Sequence, residues 1–214
     1  MRIEHWHALG AAALLLAAAG LAWFGQPDPA RRWAYLAPQL EPRLTKREVQ
    51  IDPAELLELM HNDYIDLHLV DVRDERDWNL FHLWGAERIT PDELPAYHQR
   101  FAQLPANGVI VLMSNDEAKA NEAWKLLMAT ASRPNAYILA GGINRWLAEF
   151  TPGQAAGQDA VPDEADETLR HPPPWALGSR HPAALPELHH ETEAKRLVRK
   201  VRLQQRVTKK GGCG

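Results

Sequence analysis

The sequence predicts an α/β domain built on a mainly parallel central sheet, and two observations carry that expectation. Beyond about residue 46, short apolar runs alternate with stretches of helical periodicity, the pattern left by repeated βαβ units. Within them, Val109-Ile110-Val111-Leu112-Met113 is continuous and rich in β-branched residues, as a central strand covered on both faces requires.

The elements follow in order. The Pro-punctuated, basic-aromatic stretch from Arg31 to about Lys46 reads as part of a linker over 25–47. Glu48 to Ile51 is expected as a short edge strand. Asp52-Pro53-Ala54-Glu55 then starts a helix, with Asp52 as N-cap and Pro53 in the first turn, where its missing N–H costs nothing. Leu56, Leu57, Leu59 and Met60 form the buried face of that helix. Leu67 to Val72 is a core strand ending in a charged cluster, where Asp71 can accept loop N–H bonds and pair with Arg73. A helix over Asn121 to Ala131 turns Ala123, Trp124, Leu127 and Met128 inward. Ala136 to Leu139 is a further strand. Gly141-Gly142 is the tight turn after it, which needs positive φ. The last helix carries Ile143, Trp146 and Leu147 on one face, with Trp146 in the core.

A chain of 214 residues suits one ordinary domain with extensions. Its 45% apolar and 24% charged content is that of a folded core, and a net charge of −4 gives no reason to expect nucleic acid. The single cysteine, Cys213, excludes an intramolecular disulfide and a Cys-based zinc cage within one chain. No cofactor is expected. No metal site is expected either, because His171, His181, His189 and His190 are spread among prolines.

Both ends differ from the middle. Ala8 to Phe24 is an uncharged apolar run of 17 residues, at the lower limit for a membrane-spanning helix. Trp6 precedes it, Trp23 and Phe24 close it as interfacial aromatics, and Pro27 and Pro29 stop it. A single-pass anchor is the preferred reading, and a cleaved signal peptide ending at Ala17-Ala18-Ala19 is the alternative. Arg31 and Arg32 tilt the following domain towards the cytoplasmic side, although an anchor exporting that domain has the same layout.

From Thr151 to about Glu193 the chain is rich in Pro, Gly, Ala and acids and reads as disordered or draped on the surface. The final stretch, 194–214, changes sign. Ala194, Leu197, Val198 and Val201 recur at helical spacing among Lys and Arg, so a basic amphipathic helix is expected there, able to contact anionic lipid. It ends with Cys213 on an electropositive tip.

Three stretches of the middle region carry a family resemblance. Leu69-Val70-Asp71-Val72-Arg73 followed by His82-Leu83-Trp84-Gly85-Ala86 resembles the strand-end and His-x-x-Gly-Ala signatures of rhodanese-like domains. Val109 to Met113, a short loop and a helix resemble the family's active-site strand, loop and helix. Ile138-Leu139-Ala140-Gly141-Gly142-Ile143-Asn144-Arg145-Trp146 resembles its closing signature. The resemblance covers about 100 residues, roughly 49 to 150. It implies a sulfurtransferase fold, with His82 in a packing and hydrogen-bonding role.

The same resemblance places the family's sulfur-carrying cysteine at Ser114, within Ser114-Asn115-Asp116-Glu117-Ala118-Lys119-Ala120. It also puts Glu117 at a usual glycine, Lys119 at a usual arginine, Ala120 at a usual serine and Phe81 at the glycine before the histidine. A hydroxyl cannot hold a persulfide. Asp116 and Glu117 add negative charge where an anionic sulfur species would need a positive field, and Lys119 lacks the bidentate fork of arginine. A hydrolase role for Ser114 would need a base and an orienter, and no motif supplies them. The leading expectation is therefore a non-catalytic interaction module in a membrane assembly. A sulfur relay through Cys213 comes second, and an anion sensor built on Lys119 third.

Overall fold

The computed structural model describes residue 14 and residues 28–131, 134–151, 168–169, 176–188 and 198–203. Five strands, β1 (Gln50–Ile51), β2 (Asp66–Asp71), β3 (Ala86–Arg88), β4 (Gly108–Met113) and β5 (Ala136–Leu139), form one sheet in the order β1-β5-β4-β2-β3. Every neighbouring pair is parallel. The apolar run at 109–113 is thus the middle strand, as its composition requires. Register places Asp71 beside Met113, so the chain leaves β2 and β4 at the same edge of the sheet.

Among the described residues, six α-helices cross over the sheet or flank it: α1 (Pro29–Thr45), α2 (Pro53–Met60), α3 (Glu75–Leu80), α4 (His98–Ala102), α5 (Ala118–Thr130) and α6 (Gly142–Phe150). Alternation along β4 divides the core between two faces. Val109, Val111 and Met113 join Leu56, Leu57, Ile143, Trp146 and Leu147 beneath α2 and α6. Ile110 and Leu112 join Ala123, Trp124 and Leu127 of α5 on the other face, with Leu94 and Phe101.

Asp52 caps α2 as expected, its carboxylate accepting the Ala54 N–H at 3.0 Å, with Pro53 in the first turn. β5 has the expected bounds, and Gly141 and Gly142 have φ of 70° and 60°. Helix α5 begins at Ala118, three residues before the expected start, because Ala118, Lys119 and Ala120 continue the helix directly from the loop. The short helices α3 and α4 span fewer than two turns each, too little for periodicity to reveal.

Two expectations outside the middle region need correction. The stretch expected as a linker is α1, capped by Asp28 with Pro29 in its first turn. Pro38 and Pro42 lie inside it. Trp33, Leu40 and Leu44 repeat at helical spacing and pack against the α5 face of the core, with Trp33 edge-on to Trp124 at 6.3 Å. That packing offsets the broken helical hydrogen bonds.

The described residues of the segment expected to drape or be disordered lie along the domain surface, with Leu177, Leu185 and Leu188 exposed and a few side chains turned into the core. Leu169, Ala183 and Ala184 are buried, and the Trp146 indole donates to the Ala183 carbonyl. Residues 198–203, expected in an amphipathic helix, run without helical structure against α2 and β5. Among the described residues, no helix is long and apolar enough to cross a membrane. The expected anchor at 8–24 lies outside them apart from Leu14, and Cys213 lies outside them entirely.

Candidate functional site

The loop from Ser114 to Glu117 joins the end of the central strand to α5. Ser114, Asn115 and Asp116 are buried. The Ser114 hydroxyl oxygen accepts the Ala120 N–H at 3.3 Å, an interaction across the first turn of α5. The loop carbonyls face the start of α6: Ser114 O accepts the Ile143 N–H and Asn115 O accepts the Asn144 N–H, both at 2.9 Å. Gly142 makes this approach possible. A Cβ there would overlap the carbonyl oxygens of Ser114, Asn115 and Asp116.

Beneath the loop lies a fully buried Arg73. Its Nε and Nη2 donate to the Asp71 carboxylate, the shortest contact being 2.6 Å. Nη2 also reaches the Phe81 carbonyl, and Nη1 donates to Asn115 Oδ1 at 3.0 Å. Asp71 in turn accepts the Arg73 backbone N–H. A buried charge pair is tolerated only when both partners are hydrogen-bonded in this way. The guanidinium is therefore committed to holding three chain segments together.

Further side chains close the loop. Asn115 donates to Asp77 of α3. Asn144 donates to Asp116 Oδ1 and to the Thr168 carbonyl, each at 2.9 Å. Glu117 forms a bidentate pair with Arg47, at 2.6 and 3.1 Å, and also accepts the Gly141 N–H. Lys119 is exposed on the first turn of α5. The negative charge of Glu117 is thus taken up by an arginine brought in from the corner before β1, where Arg47 itself holds φ of 55°.

The family model for the rhodanese-like domain matches residues 52–149. The chain contains a rhodanese-like domain.

Among solved structures, a Bacillus halodurans protein is similar at 22% identity, with a TM-score of 0.40 over 53% of this chain and 81% of that one. A full-length protein from Lactobacillus plantarum is similar at 20% identity, with a TM-score of 0.39 over 53% and 92%. A Staphylococcus saprophyticus protein matches at 21% identity, with a TM-score of 0.35 over 44% and 88%. No curated protein matches the chain.

Within the rhodanese-like domain, the other expected residues sit apart from the loop or beneath it. His82 stacks on Trp78 with ring centroids 3.7 Å apart, its Nδ1 2.9 Å from the Trp78 carbonyl. Gly85 turns into β3 with φ of 77° and open space around its Cα, and Trp146 is wholly buried. Asp77, Asn144 and Arg47 are components that the sequence did not reveal. They lie 38, 28 and 70 residues from their loop partners, beyond any local pattern.

His181 is a further buried group, from the C-terminal segment that lies over α3 and Trp84. Its ring packs edge-on to Phe81, and its Nδ1 accepts the Ala183 N–H at 3.1 Å. Burial holds the imidazole below its ordinary range.

Proposed function

We propose that this rhodanese-like domain does not carry sulfur and serves as a protein-interaction module held at a membrane. The observation that carries the reading is Ser114, a buried hydroxyl at the end of the central strand, bonded to the Ala120 N–H, where the family resemblance puts the sulfur-carrying cysteine. Sulfur transfer needs a thiolate that attacks the outer sulfur of thiosulfate, forms a persulfide and releases sulfite. A serine hydroxyl forms no such bond.

The surroundings support the same reading. Asn115 and Arg73 hold each other, Asn144 holds Asp116, and Glu117 draws Arg47 and the Gly141 N–H onto the loop. These groups make the loop a structural joint between β4, α5 and α6. Membrane attachment is proposed through the apolar run 8–24. Lipid contact is proposed only for the basic residues beyond 203, because Arg199 and Lys200 are engaged by the domain.

Transfer of sulfur from thiosulfate to cyanide tests the reading. Both the unaltered chain and Ser114→Cys are expected at background, since a cysteine alone would still lie under Glu117 and its partners. Turnover by the unaltered chain would overturn the proposal. Turnover by Ser114→Cys alone would show that the loop itself still supports the chemistry and that only the nucleophile has been lost.

A further inference from the structure

Residues 198–203 run along α2 and the end of β5 as an extended strap, and successive residues of it are bound in turn. Arg199 forms a bidentate pair with Glu58, at 2.9 and 3.0 Å. The Lys200 and Val201 N–H groups both donate to Glu55 Oε1 at 2.8 Å. Lys200 Nζ reaches the carbonyls of Arg47 and Gln50. The side chain of Val201 packs against the cluster that contains Leu57, and the Arg202 N–H donates to the Tyr137 hydroxyl at 3.0 Å.

This is recognition of a peptide. Main-chain N–H groups meet fixed acceptors, a basic side chain meets a carboxylate, and a half-buried apolar side chain packs against the core. Glu55 is the pivotal acceptor because it is buried. Burial raises its carboxyl, and the two strap N–H groups pull it back down. The Arg199–Glu58 pair is exposed on its arginine side, so it sets register more than strength. Nine residues, hence ten Cα–Cα steps, separate Leu188 from Val198, a length that could reach about 33 Å if extended. The strap belongs to the same chain as the face it covers, so a partner segment competes with an intramolecular occupant.

We infer that the face formed by Glu55, Glu58 and Tyr137 is a binding surface for an extended basic-aliphatic peptide segment, and that residues 198–203 are its resident occupant, displaced when a protein partner presents a segment of the same chemistry. The inference rests on the interaction-module reading and names the surface and the kind of partner. It also links that surface to the loop, because Arg47 accepts the strap lysine through its carbonyl while its guanidinium holds Glu117.

The test uses the full chain and a fluorescent peptide copying residues 196–204, followed by anisotropy. The unaltered chain should bind the peptide weakly. The double variant Arg199→Glu, Val201→Asp, whose own strap is disabled, should bind it at least about tenfold more tightly. Adding Glu55→Ala to that variant should remove about tenfold or more of the gain, two hydrogen bonds to a charged acceptor being lost. Amide exchange in the unaltered chain gives a check that needs no variant: the Lys200 and Val201 N–H groups should exchange at least about tenfold more slowly than unprotected ones.

Peptide binding indifferent to both the strap and Glu55, or fast exchange at those two amides, would overturn the inference. Concentration-dependent dimerisation abolished by the strap variant would overturn it too, since the occupant would then come from a second copy. None of these readouts measures sulfur transfer, so the surface and the loss of chemistry stand or fall separately.

Discussion

At the scale of single residues, Arg73 joins three separate parts of the molecule. Its side chain ties the end of β2, the Phe81 carbonyl and the loop at Asn115, all out of solvent. Arg73→Ala leaves the Asp71 carboxylate buried without its partner and is expected to cost about 3–5 kcal/mol, read as a fall in the urea midpoint. Arg73→Lys should recover only part of this, because an ammonium cannot serve all three acceptors with the same planar fork. Gly142 is the other sensitive position. Gly142→Ala combines positive φ with overlap on three loop carbonyls and should cost roughly 2 kcal/mol or more in thermal unfolding. Gly85→Ala has the same φ sign and open space, so it should cost only the backbone term, roughly 1–2 kcal/mol. The Asp71–Arg73 pair and the Gly141-Gly142 turn were legible in the sequence, because each follows from chemistry within a few residues, whereas Gly85 stood out only through the family resemblance. Asn144 and Arg47 were not, since nothing local to them distinguishes a loop clamp from a surface residue.

At the scale of elements, β1, β2, β4 and β5 and the helices α2, α5 and α6 were legible because caps, apolar runs and stripes announce them, whereas the three-residue β3 was not. Helix α1 was missed for a physical reason. Pro38 and Pro42 mark a break by local rules, and only tertiary packing against Trp124 makes the helix worth forming. Trp33→Ala should therefore destabilise the domain by about 2 kcal/mol in chemical unfolding, somewhat below the cost at a fully buried tryptophan. Tyr35→Ala, on the exposed face of the same helix, should stay within about 0.5 kcal/mol. Equal effects would contradict the account of why α1 forms. The strap was misread because its Val198 and Val201 fit a helical stripe, while the acceptors that hold it extended lie about 140 residues away. Local spacing could not distinguish the two.

Across the whole molecule, the described C-terminal pieces close one face of the rhodanese-like domain, although their Pro- and Ala-rich composition looks the same whether draped or buried. His181 makes that closure depend on pH. Its folded pKa lies below the ordinary 6.5, so its contribution to stability is present above that value and is lost as pH falls through the folded pKa. Melting temperature should fall between pH 7 and 5 more steeply for the unaltered chain than for His181→Gln, which keeps an acceptor without the proton uptake. Parallel slopes would remove His181 from the explanation. Glu55, raised by burial, opposes this trend at the acid end, so the comparison between the two proteins carries the test.

The claim that this domain keeps the fold without the chemistry is tested most directly by intact mass. The purified full chain and Cys213→Ser would each be incubated with thiosulfate and weighed. Both are expected to stay unmodified. One added sulfur on the full chain, absent from Cys213→Ser, would contradict the account and make Cys213 the carrier. A sulfur on both would place it in the domain itself, against everything argued from Ser114.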